Sequence, residues 1–359
     1  MLWIQALYAV AAILTDTIRR SPESLPDPVY LFFMGLTATL VLGRYFDYQP
    51  PLFEESRAIS VGLFIFVLFV VNEHLVIMGL VPWSLRIEPL GFLLFVIFLG
   101  FIAVRRFIIN EHKLAALQHE MDAAWRIQAS ILPRELPSME GCRLAVRYIP
   151  MASVAGDYYD FVLVDEARLG VLIADVAGHG VPAALIASMV KVALSSQASY
   201  RSDPAAVVSG LNQVLCKQQT GQFVTAGYLL LDLNEKTALY SGAAHPPLLL
   251  WRGSQREILE FQENGLPLGF RPHETYASVP IRLVPGDRIL MYTDGIIETA
   301  NLSGDLFGEE RFKAFIQEYS HLPADRFADS LLHDLAAWSG RKAGRVQEDD
   351  LTLIVIDIA

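Results

Sequence analysis

Apolar residues crowd the first hundred positions of this 359-residue chain and then thin into short runs. Residues 29–45, 59–81 and 89–109 each carry an apolar stretch close to the roughly 20 residues a helix needs to cross hydrocarbon. Residues 1–14, interrupted by Gln5, read as a fourth span or an interfacial helix. They lack the basic start and small-residue cleavage site of a secretory signal. Three or four membrane helices are therefore expected within residues 1–104. Asn72-Glu73-His74 breaks the second stretch. It is either a set of polar groups held at membrane depth for sensing, or the headgroup end of a span that stops near Val71. Arg105, Arg106 and Lys113 follow the last stretch and place everything downstream in the cytoplasm. Arg44 and Arg57 agree with that orientation, whereas Arg19 and Arg20 oppose it.

Between 107 and 131 the spacing changes to alternating threes and fours, linking Phe107, Asn110, Leu114, Leu117, Met121, Ala124, Gln128 and Ile131. This is the seam of a linker helix over 105–133, ended by Pro133 and Pro137. Such a seam either pairs with its copy in a parallel homodimer or lies along the chain's own downstream domain.

From 134 to 359 the pattern is that of a globular domain. Strands are expected at 143–149, 158–164, 170–175, 224–232, 238–242, 247–251, 279–283, 288–292 and 351–357. Helices are expected at 182–200, 204–219, 309–319 and 323–339. Strand runs with segregated helices point to a layered α+β domain rather than a Rossmann unit.

The net charge of −11 gives no basic footprint for nucleic acid. Cys142 and Cys216 stand alone, without the spacing of a disulfide framework or a thiolate zinc site. Neither begins the C-x5-R pattern of thiol phosphatases, and Gln222 stands six residues after Cys216.

Acidic residues sit where apolar runs begin or end: Asp157 in GDYYDF, Asp175 in ADVAGHG, Asp294 in YTDGIIE, and Asp349-Asp350 in EDDLTLIVI. Carboxylates brought together from several strand ends repel one another until hard cations neutralise them, and oxygen-only ligation favours Mg²⁺ or Mn²⁺ over Zn²⁺. An isolated Asp at a strand end is usually a turn residue or a cap. Four in matching contexts make that explanation poor, and a metal-dependent hydrolase is expected.

In order along the chain, AWRIQASILPRELP, VAGDYYDF, ADVAGHGVPAALIASMVK, GLPLG, LVPGDRILMYTDGIIETAN, LFGEERF and QEDDLTLIVI closely resemble the SpoIIE/RsbU-like branch of the metal-dependent serine/threonine protein phosphatases of the type 2C superfamily. The resemblance covers roughly residues 122–359. It implies an α-β-β-α sandwich, with the phosphatase domain at 134–359, and two Mn²⁺ or Mg²⁺ ions at one end. By motif, Asp175 would bridge both ions and the Val176 carbonyl would join it on one. Asp157 would serve that same ion, while Asp294 and Asp349 hold the other, making these four aspartates the catalytic set. Asp350 would stand behind the ligands, with Gly156, Gly178, His179 and Gly180 shaping the backbone around them. Around His245 the chain reads YSGAAHPPLL where the family usually has Asn-Ala-Gly-His, so Gly242 and Ala244 depart from the pattern. His179 and His245 are each open to two readings, general acid or local packing.

The implied protein is a multi-pass membrane phosphatase with its catalytic domain in the cytoplasm. It would act on phosphoserine or phosphothreonine of a regulatory partner, a STAS-type anti-sigma-factor antagonist. The competing functions are a non-catalytic membrane adaptor of the same fold and a small-molecule phosphomonoesterase.

Overall fold

The structure, a computed structural model, describes residues 88–151, 154–217, 221–262, 264–340 and 349–359, together with part of 61–82. The chain separates into two compact units, Met1–Ala116 and Leu117–Ala359.

In the first unit the described residues between 61 and 76 are helical. Phe66 stacks on Phe95 with ring centroids 5.4 Å apart and meets Phe92 edge-on at 6.1 Å. The expected spans at 1–14 and 29–45, with Glu73 and His74, lie outside the described residues. Helix α1 (Glu88–Ile131) runs for 44 residues. The third expected span and the linker thus run on as one continuous helix, because no proline interrupts the chain between Pro89 and Pro133. Among the described residues it is the one helix long and apolar enough to cross a membrane. Its early turns leave Phe92, Ile97, Phe101 and Val104 more than half exposed.

Among its described residues the second unit has eleven strands: β1 (Cys142–Ile149), β2 (Tyr158–Leu163), β3 (Arg168–Val176), β4 (Val224–Asp232), β5 (Thr237–Ala243), β6 (Leu248–Arg252), β7 (Glu257–Phe261), β8 (Asn264–Gly265), β9 (Val279–Arg282), β10 (Asp287–Tyr292) and β11 (Leu351–Ile358). The first sheet has the order β1-β11-β10-β6-β7. The second has β2-β3-β4-β5-β8, with β9 also pairing β5. Helices α2 (Val181–Ser196) and α3 (Pro204–Cys216) accompany the second sheet, and α4 (Gly308–Tyr319) and α5 (Ala324–Ser339) accompany the first.

Three buried layers hold this α-β-β-α stack together. β11 shows why its sequence reads as a continuous apolar run. Ile354 and Ile356 enter the layer between the sheets with Ile173, Leu229 and Ile289. The alternate residues Leu353 and Val355 enter the outer layer with Phe312, Phe327 and Leu331 of the covering helices. On the other outer face, Ile186 and Val190 of α2 and Leu211 of α3 pack on Leu172 and Val224. Each such fully buried side chain contributes about 1.5–3 kcal/mol.

Local signals set the helix ends. Asp203 caps α3 by accepting from the Ala206 N–H at 3.1 Å, and Gly340, at φ 61, closes α5 in the left-handed region. Buried Arg288 forks onto Asp357 at 2.5 and 2.9 Å, and Asp357 also accepts the Ala324 N–H at 3.1 Å. This fastens the first turn of α5 to β10 and β11.

Candidate active site

Asp157 stands immediately before β2, and Asp175 is next to last in β3. β2 and β3 run antiparallel with Tyr158 opposite Ala174, so the two carboxylates reach the same end of the second sheet. In the first sheet, Asp294 opens a single 3₁₀ turn just after β10, and Asp349-Asp350 lead into β11. Tyr292 lies opposite Leu353, which brings those carboxylates to one end as well. Hydrogen bonds across the sandwich join the two ends. The hydroxyls of Thr293 and Thr352 donate to Asp157 Oδ2 at 2.8 and 2.5 Å.

Both oxygens of Asp350 are engaged by backbone, Oδ1 by the Met151 N–H at 2.7 Å and Oδ2 by the Gly156 N–H at 2.6 Å. Asp350 thereby pins the segment that delivers Asp157. Glycine allows the close approach of these loops. A Cβ on Gly156 would come within 2.9 Å of the Val176 carbonyl oxygen, and one on Gly295 would run into the Asp350 carbonyl. Gly178 and Gly180 take φ of +98 and +77 in the turn between β3 and α2, a region closed to most side chains.

The electrostatics are those of crowded, desolvated anions. Burial, then repulsion from Asp294, Asp349 and Asp350, pushes the Asp175 carboxyl up to about 7. Burial and Asp349 raise Asp294 to about 6. Asp157, 1% exposed, is raised by burial and by Asp175, while the two threonine hydroxyls hold it down. Its Oδ1 is buried without a hydrogen-bond partner. Asp294, Glu298 and Asp349 each offer an oxygen within 4.8 Å of the others. A buried, unpartnered carboxylate oxygen beside mutually repelling oxygen donors suits hard divalent cations, so the residues present fit the ions that the family implies.

The two histidines part company here. His179 lies exposed on the turn before α2. His245 lies in the link between β5 and β6, 3% exposed, with Nδ1 2.9 Å from the Thr225 hydroxyl. Burial drives its pKa down to about 3. The contact the ring makes is structural: His245 braces Thr225, which pairs with Asp175 across β3 and β4.

No sequence motif singles out Thr293, Thr352, Gly295 or Glu298, and the heptad spacing makes Gln128 a seam residue. Gln128 is 6% exposed and bonds both ways with the Ala155 backbone, donating at 2.5 Å and accepting at 3.0 Å. The end of α1 is thus tied two residues before Asp157. The signal for Thr352 is its place two residues after Asp350 and two before Ile354, the alternation that puts it on the face of β11 turned toward the second sheet.

A helix-flanked pair of mainly antiparallel sheets, with carboxylates from both meeting at one end, defines the metal-dependent type 2C protein phosphatases, and this enzyme is one of that class. More particularly, residues 165–359 match the family described as Stage II sporulation protein E (SpoIIE), and the chain belongs to that family. It is similar to the phosphoserine phosphatase RsbU of Bacillus subtilis (strain 168), with 27% identity over 241 residues, 67% of this chain and 70% of that protein. The SiaA-PP2C domain of Pseudomonas aeruginosa shares the fold at a TM-score of 0.62 and 24% identity, over 69% of this chain and 99% of that one. The RsbU and RsbW domains of Rv1364c from Mycobacterium tuberculosis match at a TM-score of 0.55 and 26% identity, over 64% and 63% of the two chains.

Proposed function

We propose that this chain is a membrane-anchored phosphatase that hydrolyses phosphoserine or phosphothreonine on a regulatory partner, a STAS-type anti-sigma-factor antagonist, using two Mn²⁺ or Mg²⁺ ions. The observation that carries this reading is the crowding of carboxylates from both sheets: Asp175 of the second is repelled by Asp294 and Asp349 of the first, and the neighbouring Asp157 keeps a buried oxygen that no hydrogen-bond donor reaches. Asp175, with the Val176 carbonyl and Asp157, would hold one ion, and Asp294 with Asp349 the other, Asp175 reaching both. Bound there, the ions would lower the pKa of water and offset charge on the phosphoryl group.

The protein's own contribution is to hold its ligands in place beforehand. Asp350 holds the Met151 and Gly156 N–H groups, Gly156 admits the Val176 carbonyl, and Gly178 and Gly180 supply the left-handed turn that follows it. The leaving serine or threonine oxygen takes its proton from exposed His179 or from water. No covalent phosphoenzyme is required.

The domain plan in this proposal is a membrane region at 1–104, a linker at 105–133 and the phosphatase domain at 134–359. Length and apolar surface support α1 as an anchor. Phe107, Leu114 and Leu117, at 66, 55 and 58% exposure, leave an apolar face for pairing with a second copy. Gln128 gives that helix a mechanical route to the loop before Asp157.

The test is turnover of a phosphoserine protein with added Mn²⁺, set against Asp175→Asn and against soluble phosphomonoesters. Activity lost in Asp175→Asn, and faster on the phosphoprotein, is the expected outcome. Turnover unchanged by the substitution would remove the metal assignment. Faster cleavage of small phosphomonoesters would move the function to a small-molecule phosphatase, and no turnover of either would leave an adaptor.

A further inference from the structure

The geometry points to Thr293 and Thr352 as positioning residues that clamp Asp157 across the two sheets and aim its unpartnered oxygen at the cation. This deepens the metal reading above and rests on it.

Asp157 approaches from the second sheet, whereas Thr293 follows β10 and Thr352 lies within β11, both of the first. All three are buried, both threonines completely and Asp157 to 1% exposure. The two hydroxyls converge on the same atom, Oδ2, at 2.8 and 2.5 Å, and leave Oδ1 with no partner. Had the hydroxyls served only to satisfy a buried carboxylate, sharing them between its two oxygens would have left less unsatisfied. Concentrating them on one oxygen fixes the rotation of the carboxylate and keeps the other for a ligand that is not protein.

For Thr293 the direction of donation is also settled. Thr293 Oγ1 accepts the Thr352 N–H at 2.9 Å, and the Thr293 N–H donates to the Thr352 carbonyl at 3.0 Å. With its acceptor side occupied by that N–H, the Thr293 hydroxyl turns its proton to Asp157. These bonds between Thr293 and Thr352 fix the Thr293 hydroxyl before any ligand arrives, which is how groups behind a metal ligand orient it. The two hydroxyl bonds to Asp157 hold the half-site of the second sheet, Asp157 and Asp175, in register with that of the first, Asp294 and Asp349.

The experiment titrates Mn²⁺ into the full-length protein by calorimetry, alongside thermal unfolding of the metal-free form, for wild type, Thr352→Val and Thr352→Ser. Valine keeps the shape and removes the hydroxyl, and serine keeps the hydroxyl. Mn²⁺ affinity should fall about 10- to 100-fold in Thr352→Val, the scale of losing a group that orients a metal ligand. In Thr352→Ser it should return close to wild type. Affinity unchanged in Thr352→Val, whether or not the metal-free protein melts earlier, would overturn the clamp and leave a packing role. Should the valine variant not fold, Thr293→Ala is measured in the same way, with the same two outcomes. No Mn²⁺ uptake by wild type would overturn the metal reading itself, which keeps the two failures apart.

Discussion

Ala244 holds φ of +51, a left-handed backbone conformation in which a Cβ is crowded by its own carbonyl. It stands where resemblance to the family leads one to expect glycine, just before buried His245. The conformation costs roughly 1–2 kcal/mol, and glycine's greater freedom in the unfolded chain returns about 0.5–1 of that. Ala244→Gly should therefore stabilise the protein by about 0.5–1 kcal/mol, measured as a shift in denaturation midpoint. A loss of stability would mean the strain is not there.

The carboxylates carry a pH signature of their own. Asp175 at about 7 and Asp294 at about 6 keep protons in the metal-free fold that the unfolded chain releases near pH 4. On their own they make metal-free stability fall as pH rises from about 4 to about 7. Manganese must displace those protons, so the rise in Tm it causes should grow between about pH 5.5 and 7.5 and then level off. The neutral His245 affects both forms alike and drops out of the difference. An equal rise at both ends of the range would contradict these assignments. Of this site the aspartates were legible from their motifs, because each marks the end of an apolar run. The threonines were not, since their role depends on a neighbour 136 or 195 residues away in sequence.

Among the elements, nine expected strands and four expected helices are present, because apolar runs bounded by turn residues announce them. The pattern does not announce β7: Glu257–Phe261 is a short, half-exposed edge strand in which glutamates at positions 257 and 260 break up the apolar Ile258, Leu259 and Phe261. Helices α2 and α3 stop at Ser196 and Cys216, short of the expected 200 and 219. α1 was legible as two signals, one for membrane and one for a seam, and the structure joins them.

The lower seam residue Gln128 meets the chain's own phosphatase domain. Gln128→Leu would leave the Ala155 N–H and carbonyl buried without partners, at a cost of about 1–3 kcal/mol. Urea unfolding of the variant measures this, and an unchanged midpoint would show that the contact does not hold the helix. Leu117→Asp, on the exposed side of α1, should instead weaken self-association while leaving that midpoint within about 0.5 kcal/mol. Analytical ultracentrifugation showing no change in oligomeric state would remove the dimer proposal.

At the scale of the molecule, two sheets each supply half of a site that neither completes alone. The layer of Ile173, Leu229, Ile289 and Ile354 between them sets the separation of the halves, and the bonds at Asp157 and Asp350 close the rim. On the proposed function, catalytic competence depends on the sandwich staying in register. A helix tied to the Asp157 segment is well placed to disturb that register.

The most direct measurement of the central claim is anomalous diffraction from crystals of this protein grown with Mn²⁺. Two manganese peaks are predicted, one beside Asp157, Asp175 and the Val176 carbonyl and one beside Asp294 and Asp349. Crystals that diffract well and show no peak among those carboxylates would contradict the account.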